Sequence, residues 1–147
     1  MKSATVYKRK DSWYFHSSSQ TTVGVWIASP PFLKLSDTNP STTLGEAALT
    51  VLNASCSSVP HPNQDQWDEI FQPMLELANV RSERQFERGT KCLGLDTEGE
   101  WLTIEPMINE GPTKGFSRIS AKAVRLTLES SPRDIGEALQ QAALSCI

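Results

Sequence analysis

Five carboxylates fall in one short stretch of this 147-residue chain: Asp96, Glu98, Glu100, Glu105 and Glu110. Two carboxylates in contrasting environments form an acid and a base, because burial or a neighbouring charge drives their pKa values apart. A hydrolase built on such a pair is one reading of the cluster. The same residues around a turn are also a docking face for a basic partner. Charge runs beside turns are most often solvated. The flanking sequence, KCLGLDTEGEWLTIEP, is a hairpin pattern with Asp96-Thr97-Glu98-Gly99 at its loop. That context favours a solvated or docking face over a catalytic pair.

Other chemistry is sparsely written. His16 falls on an expected strand and His61 between two prolines, and neither has a metal-ligand spacing to another His or Cys. Cys56, Cys92 and Cys146 are odd in number and far apart, with no C-x-x-C. The stretch GPTKG lacks the length of a phosphate-binding loop and the Ser/Thr that opens its helix. No cofactor and no metal are expected. A net charge of −3 argues against the basic face of a dedicated nucleic-acid binder. An apolar fraction of 38% with 21% charged residues predicts a globular chain, expected as a single domain over 1–147. No apolar run approaches the ~20 residues of a membrane span, and no apolar stretch follows Lys2, so a cytoplasmic protein is expected.

The elements that must position these residues read as α+β and mainly antiparallel. Strands are predicted on either side of a turn at Lys10 and Asp11, then over Val23–Ser29, which Pro30 and Pro31 are expected to stop, then over Phe32–Leu35. Leu44, Ala48, Val51 and Leu52 lie on one helical face, with Ser41, Thr42 or Thr43 as its cap, and Thr43 with Glu46 fits a capping box. Trp67, Ile70, Phe71 and Met74 predict a helix that Pro73 interrupts, either kinked there or divided into two short pieces. Arg81 to Arg88 reads as exposed and 107–115 as a loop, while Trp26 and Trp101 read as core. The hairpin follows, then a half-buried strand over Val124, Leu126 and Leu128. Ser131-Pro132 opens a last helix with Ser as its N-cap.

One phrase occurs twice. LGEAALTVL near the first helix and IGEALQQAAL in the last stand 91 positions apart, so Gly45 aligns with Gly136 and Glu46 with Glu137. The same offset lays FSRI on VWIA and VRL on LKL. The chain therefore reads as two pseudo-duplicated β-β-β-β-α halves, 1–56 and 90–147, with an insertion at 57–89. Glycine inside a helix costs about 1 kcal/mol relative to alanine. Its use at two matched places predicts a close backbone approach at both.

The order of these pieces carries a resemblance. LGEAALTVLNAS, a lone Trp67, the charged segment leading into a hairpin that ends in I-x-P, and the closing SSPRDIGEALQQAALSC resemble the immunity proteins of contact-dependent growth inhibition systems. The resemblance implies a small cytoplasmic protein without catalytic residues. Its partner would be the C-terminal domain of a cognate toxin, expected to be a basic nuclease domain, which it blocks at the active site. An acidic chain suits such a partner. Asp96, Glu98, Glu100, Glu105 and Glu110 are then the candidate contact residues, with the tryptophans and the segment Arg81 to Arg88 as alternatives. A doubled β4-α unit also looks like the Whirly-type fold, whose members bind single-stranded nucleic acid. Nucleic-acid binding is the alternative function on that resemblance.

Overall fold

The computed structural model describes residues 1–147. Seven strands form one antiparallel sheet: β1 (Ser3–Arg9), β2 (Ser12–Gln20), β3 (Trp26–Ser36), β4 (Lys91–Glu98), β5 (Trp101–Asn109), β6 (Phe116–Arg118) and β7 (Val124–Thr127). Four helices accompany it: α1 (Ser41–Asn53), α2 (Gln72–Ala78), α3 (Glu83–Glu87) and α4 (Pro132–Ala143). The strand order is β3-β2-β1-β4-β5-β6, and β7 also pairs with β5. β1 and β4 are central and antiparallel, with Ser3 opposite Asp96 and Tyr7 opposite Cys92. The fold is the expected α+β class.

Alternation along the strands sends two side-chain sets to opposite faces. Ala4 and Val6, Trp13 and Phe15, Leu93 and Leu95, Leu102 and Ile104 face α1 and α4 and form the larger core. Leu44, Val51 and Leu52 meet them from α1, and Ile135 and Leu139 from α4. Burying each of these large side chains is worth roughly 1.5–3 kcal/mol. Tyr7, Tyr14, Cys92 and Met107 point the other way, under Met74, Leu75, Ala78 and Phe86 of the segment between α1 and β4. β2, the strand between the two covers, is buried along nearly its whole length.

The two helices on the first face touch through their glycines. A methyl group at Gly45 would lie 1.7 Å from the carbonyl oxygen of Pro132, and one at Gly136 would lie 1.8 Å from that of Ser41. Each helix crosses the other where it has no side chain, as the matched glycines lead one to expect. Ser41 Oγ also donates to Gln140 Oε1 at 3.0 Å across this junction. Only the second half is β-β-β-β-α in form, with β4 to β7 and α4; the first supplies three strands and a helix.

Other expectations need correction. Pro30 and Pro31 do not stop a strand: β3 runs through them. It lies at the sheet edge, where the missing donors cost no ladder bonds, and its register on β2 shifts between His16 and Ser17. The first helix starts at Ser41 behind Pro40, so none of Ser41, Thr42 and Thr43 is its cap. In α4 the expected cap is present, with Ser131 Oγ accepting from the Asp134 amide at 3.1 Å. The stretch from Trp67 to Met74 forms the second of the two expected arrangements, two short pieces: a 3-10 turn over Gln64–Glu69 and then α2, with Pro73 in the first turn of α2, where its missing donor is unneeded. The Arg81 to Arg88 segment is not wholly exposed: it contains α3, and Phe86 there is completely buried. β5 extends into the expected loop as far as Asn109, and Met107 is core. Trp26 is exposed and Trp101 half-buried, because both fall on the sheet face beyond the reach of α2 and α3.

Candidate functional site

The segment 57–89 covers only one end of its face of the sheet. Where the cover stops, the strands present small residues side by side. Ser3 and Thr5 of β1 pair with Ser18 and His16 of β2, and Ser18 pairs with Ala28 of β3. Thr5 faces Gly94 of β4 on its other side. Larger groups surround this floor, and the result is an open crevice of about 570 Å³. Met1, Trp26, Phe71, Asp96 and Arg118 are among the residues that line it.

Tyr7 and His16 close the deep end. The His16 ring lies between Tyr7, Phe32 and Phe71. Its Nδ1 is 2.7 Å from the carbonyl oxygen of Ser17, which can only accept, so Nδ1 carries the proton. Nε2 then accepts from the Tyr7 hydroxyl at 3.1 Å. Burial pushes the His16 pKa down to about 4 despite the Ser17 bond, and burial also raises that of Tyr7, helped by Cys92, Glu87 and Glu83. At neutral pH the pair is therefore uncharged.

This carries a pH dependence with a definite sign. Between 6.5, the ordinary histidine value, and about 4, the unfolded chain binds a proton that the folded chain excludes. Stability should be full above that window, fall as the pH drops through it, and level off below. The whole effect is at most about 3 kcal/mol. Urea unfolding at about pH 7 and about pH 4.5 should show the fall in the native chain and a smaller one in His16→Gln. Equal falls in both would assign the acid sensitivity elsewhere.

Of the five carboxylates named from the sequence, the structure brings two together. Asp96 on β4 and Glu105 on β5 share one cation, since Arg118 Nη1 donates to Asp96 Oδ2 and to Glu105 Oε1, each at 2.8 Å. The guanidinium lies over Gly94, where a methyl group would come within 3.3 Å of Nη2. Burial alone would lower the Arg118 pKa; the bonds to Glu105 and Asp96 outweigh it and raise the value. Asp96 and Glu105 thus have the same partner at the same distance, not the contrasting environments of an acid–base pair. Glu98 lies apart, at a second cavity with Lys2, Leu49 and Leu52. Glu100 occupies the hairpin turn, and Glu110 is beyond the far end of β5. The five are not one surface.

Tyr7, His16, Phe71 and Arg118 were not singled out by sequence reasoning as site residues. The available signal was in the strand periodicity. Ser3 and Thr5 in β1, and Ser18 in β2, place small polar side chains where a covered strand would carry apolar ones. Of the remaining candidates, Trp67 is exposed and packs edge-on against His61, with ring centroids 5.4 Å apart. Trp13 is core. The three cysteines are free thiols. No helix is long and apolar enough to cross a membrane.

Known proteins share this architecture. The structure superposes on a protein of unknown function, NMB0488, from Neisseria meningitidis with a TM-score of 0.82 and 18% identity, covering 99% of this chain and 95% of that one. It also superposes on a chain of the CdiA-CT/CdiI toxin and immunity complex from Yersinia pseudotuberculosis, with a TM-score of 0.82 and 17% identity, covering 99% and 97%. At such identities the likeness is one of fold. No curated protein matches the sequence closely. The model of the CDI immunity protein family matches residues 2–146, nearly the whole length. With that match the chain belongs to the CDI immunity protein family.

Proposed function

We propose that the chain protects the cell that makes it by binding the C-terminal domain of one cognate contact-dependent inhibition toxin and covering that domain's active site. The family match over residues 2–146 carries this reading. The fold shared with a toxin and immunity complex supports it. The reading asks no chemistry of the chain: its one buried histidine is fully engaged by Tyr7 and Ser17. The toxin is taken to be a nuclease whose nucleic-acid-binding surface is basic, which a chain of net charge −3 complements.

The uncovered sheet face is the contact surface in this account. It is broad, paired along its ladders and lined by residues that need not move to be reached. Most complexes of rigid partners form with little backbone change. Asp96 and Glu105 belong to it, while Glu98, Glu100 and Glu110 act as more distant charges. Charges of that kind speed encounter more than they hold the complex.

Growth supplies the test. A cell induced to make the toxin domain encoded upstream of this chain's reading frame should survive when this chain is co-expressed, and should die when a toxin domain from another system is substituted. Death in both cases would remove the proposal. Protection against both would remove the cognate specificity, which requires contacts that reject the wrong partner.

A further inference from the structure

On the helix-covered face of the sheet, where β1 ends and β4 begins, an open cavity of about 350 Å³ lies beside the end of α4. Lys8, Lys10 and Lys91 line it, together with Trp13 and Gln140, and no carboxylate does. Lys8 and Lys91 are direct partners across the β1–β4 ladder. They continue the row in which Val6 stands opposite Leu93 and faces the helices, so both side chains leave the sheet on the same side. Like charges directly opposite one another destabilise a sheet. Asp37 offsets one of them, at 3.6 Å from Lys8 Nζ. No other carboxylate forms an ion pair with any of the three. Asp11, next to Lys10 in the turn, does not, and the carboxyl terminus at Ile147 accepts from the Asn109 amide. The three lysines and Asp37 together keep a formal charge of +2.

Lysines beside a helix C-terminus ordinarily serve its last carbonyls. Here those carbonyls already have partners. The Leu144 amide donates to the Gln141 carbonyl at 3.2 Å, that of Ser145 to Ala142 at 2.9 Å and that of Cys146 to Ala143 at 3.3 Å. Lys8 Nζ is held over the Trp13 ring and donates to the Lys10 carbonyl, and none of the three lysines donates to α4. Gln140 accepts from Ser41 Oγ through Oε1, which leaves its Nε2 to donate. The polar side chains that line the cavity therefore offer donors and positive charge that the fold itself does not use.

We propose that this cavity binds a phosphate group, either the free ion or the monoester of a small molecule. Phosphate carries close to two negative charges at neutral pH and three strong acceptor oxygens. The charge matches the +2 of the cavity, and the oxygens can accept from Lys10, Lys91 and Gln140 while Lys8 keeps Asp37. A carboxylate would supply half the charge. Lysine suits the task, since it binds phosphate as a point charge. Occupancy also offsets the repulsion between Lys8 and Lys91, so the ligand stabilises the fold by mass action. The cavity opens away from the uncovered sheet face, and the inference stands independently of the immunity reading.

Calorimetric titration of the full chain with inorganic phosphate and, separately, with ribose 5-phosphate tests this, with chloride at equal ionic strength as the blank. One site per chain is expected. Tighter binding of the ester assigns the cavity to a phosphorylated small molecule, and tighter binding of inorganic phosphate assigns it to the free ion. Lys10→Gln and Lys91→Gln should each weaken binding roughly tenfold, the loss of one charge-assisted hydrogen bond. In chloride alone Lys91→Gln should raise the melting midpoint, because it removes one of two facing charges; a folding defect would lower it. Lys10 is exposed in a turn, so Lys10→Gln keeps the test open should Lys91→Gln fold poorly. Arg133→Gln, at the other end of α4, should leave affinity unchanged. If neither probe binds beyond the chloride blank, the proposal is wrong. Binding that survives Lys10→Gln and Lys91→Gln combined overturns it as well, since the phosphate then sits elsewhere.

Discussion

Gly136→Ala should lower the stability of the fold by about 3 kcal/mol or more, and Gly45→Ala by a similar amount. In solvent-exposed helices the same change is stabilising, because alanine is the better helix former by about 1 kcal/mol. Here the sign inverts. The added methyl would sit 1.8 Å from the Ser41 carbonyl oxygen in one case and 1.7 Å from that of Pro132 in the other. The obstacle in each is backbone and not a side-chain tip that can swing aside. The helices must separate by more than an ångström, and that loosens Leu44, Val51, Leu52, Ile135 and Leu139 against the sheet together. Overpacking a core costs about 1–3 kcal/mol and occasionally more; a backbone clash beneath five large side chains belongs at the upper end. For a chain of this size the thermal midpoint should fall by roughly 6–12 °C. A midpoint that rises in either variant would show that the helices do not cross at the glycines.

Those glycines also mark how far the sequence could be read. Glycine inside a helix has a cost that something must offset, and the same phrase at two places points to a close approach from the sequence alone. The apolar periodicities of α1 and α4 were legible for the same reason: 3.6-residue spacing survives in any window of a long amphipathic helix. Ser131 was legible as a cap because its chemistry is local.

What escaped was set by neighbours far away in sequence. Pro30 and Pro31 normally end a strand, but β3 is an edge, and that position is fixed by the order of seven strands. Phe86 sits among charged residues, yet it packs against Tyr7, Tyr14 and Phe71 from three other parts of the chain. Asn109, expected in a loop, extends β5 and holds the α3 segment by donating to the carbonyls of Glu87 and Thr90 at 2.7 and 2.9 Å.

The candidate site was legible in part, and by the same logic. Asp96 and Glu105 were named because they flank a hairpin, and the ladder does bring them to one face. Arg118, which joins them, lies on β6 beyond a loop, and nothing local announces that it pairs with Met107 and so hangs over Gly94. His16 looked ordinary as one of two isolated histidines. Its surroundings come from β1, β3 and the start of α2.

Neutralisation by tight binding makes a quantitative demand that a catalytic mechanism does not share. An immunity protein that works by covering an active site is consumed one for one, so each molecule silences one toxin and no more. When binding is much tighter than the concentrations used, the residual activity of the purified toxin domain should fall in a straight line as this chain is added, and reach zero at one equivalent. The loss should be complete as soon as mixing and association are over, with no slow phase. Added salt should slow the association step, as attraction between a chain of net charge −3 and the basic partner proposed above requires. The titration of toxin activity against added chain is therefore the most direct measurement of the central claim. The account predicts a sharp end point at equimolar ratio. Activity that persists past several equivalents, or that disappears progressively at a small fraction of one equivalent as a catalyst would cause, would contradict it.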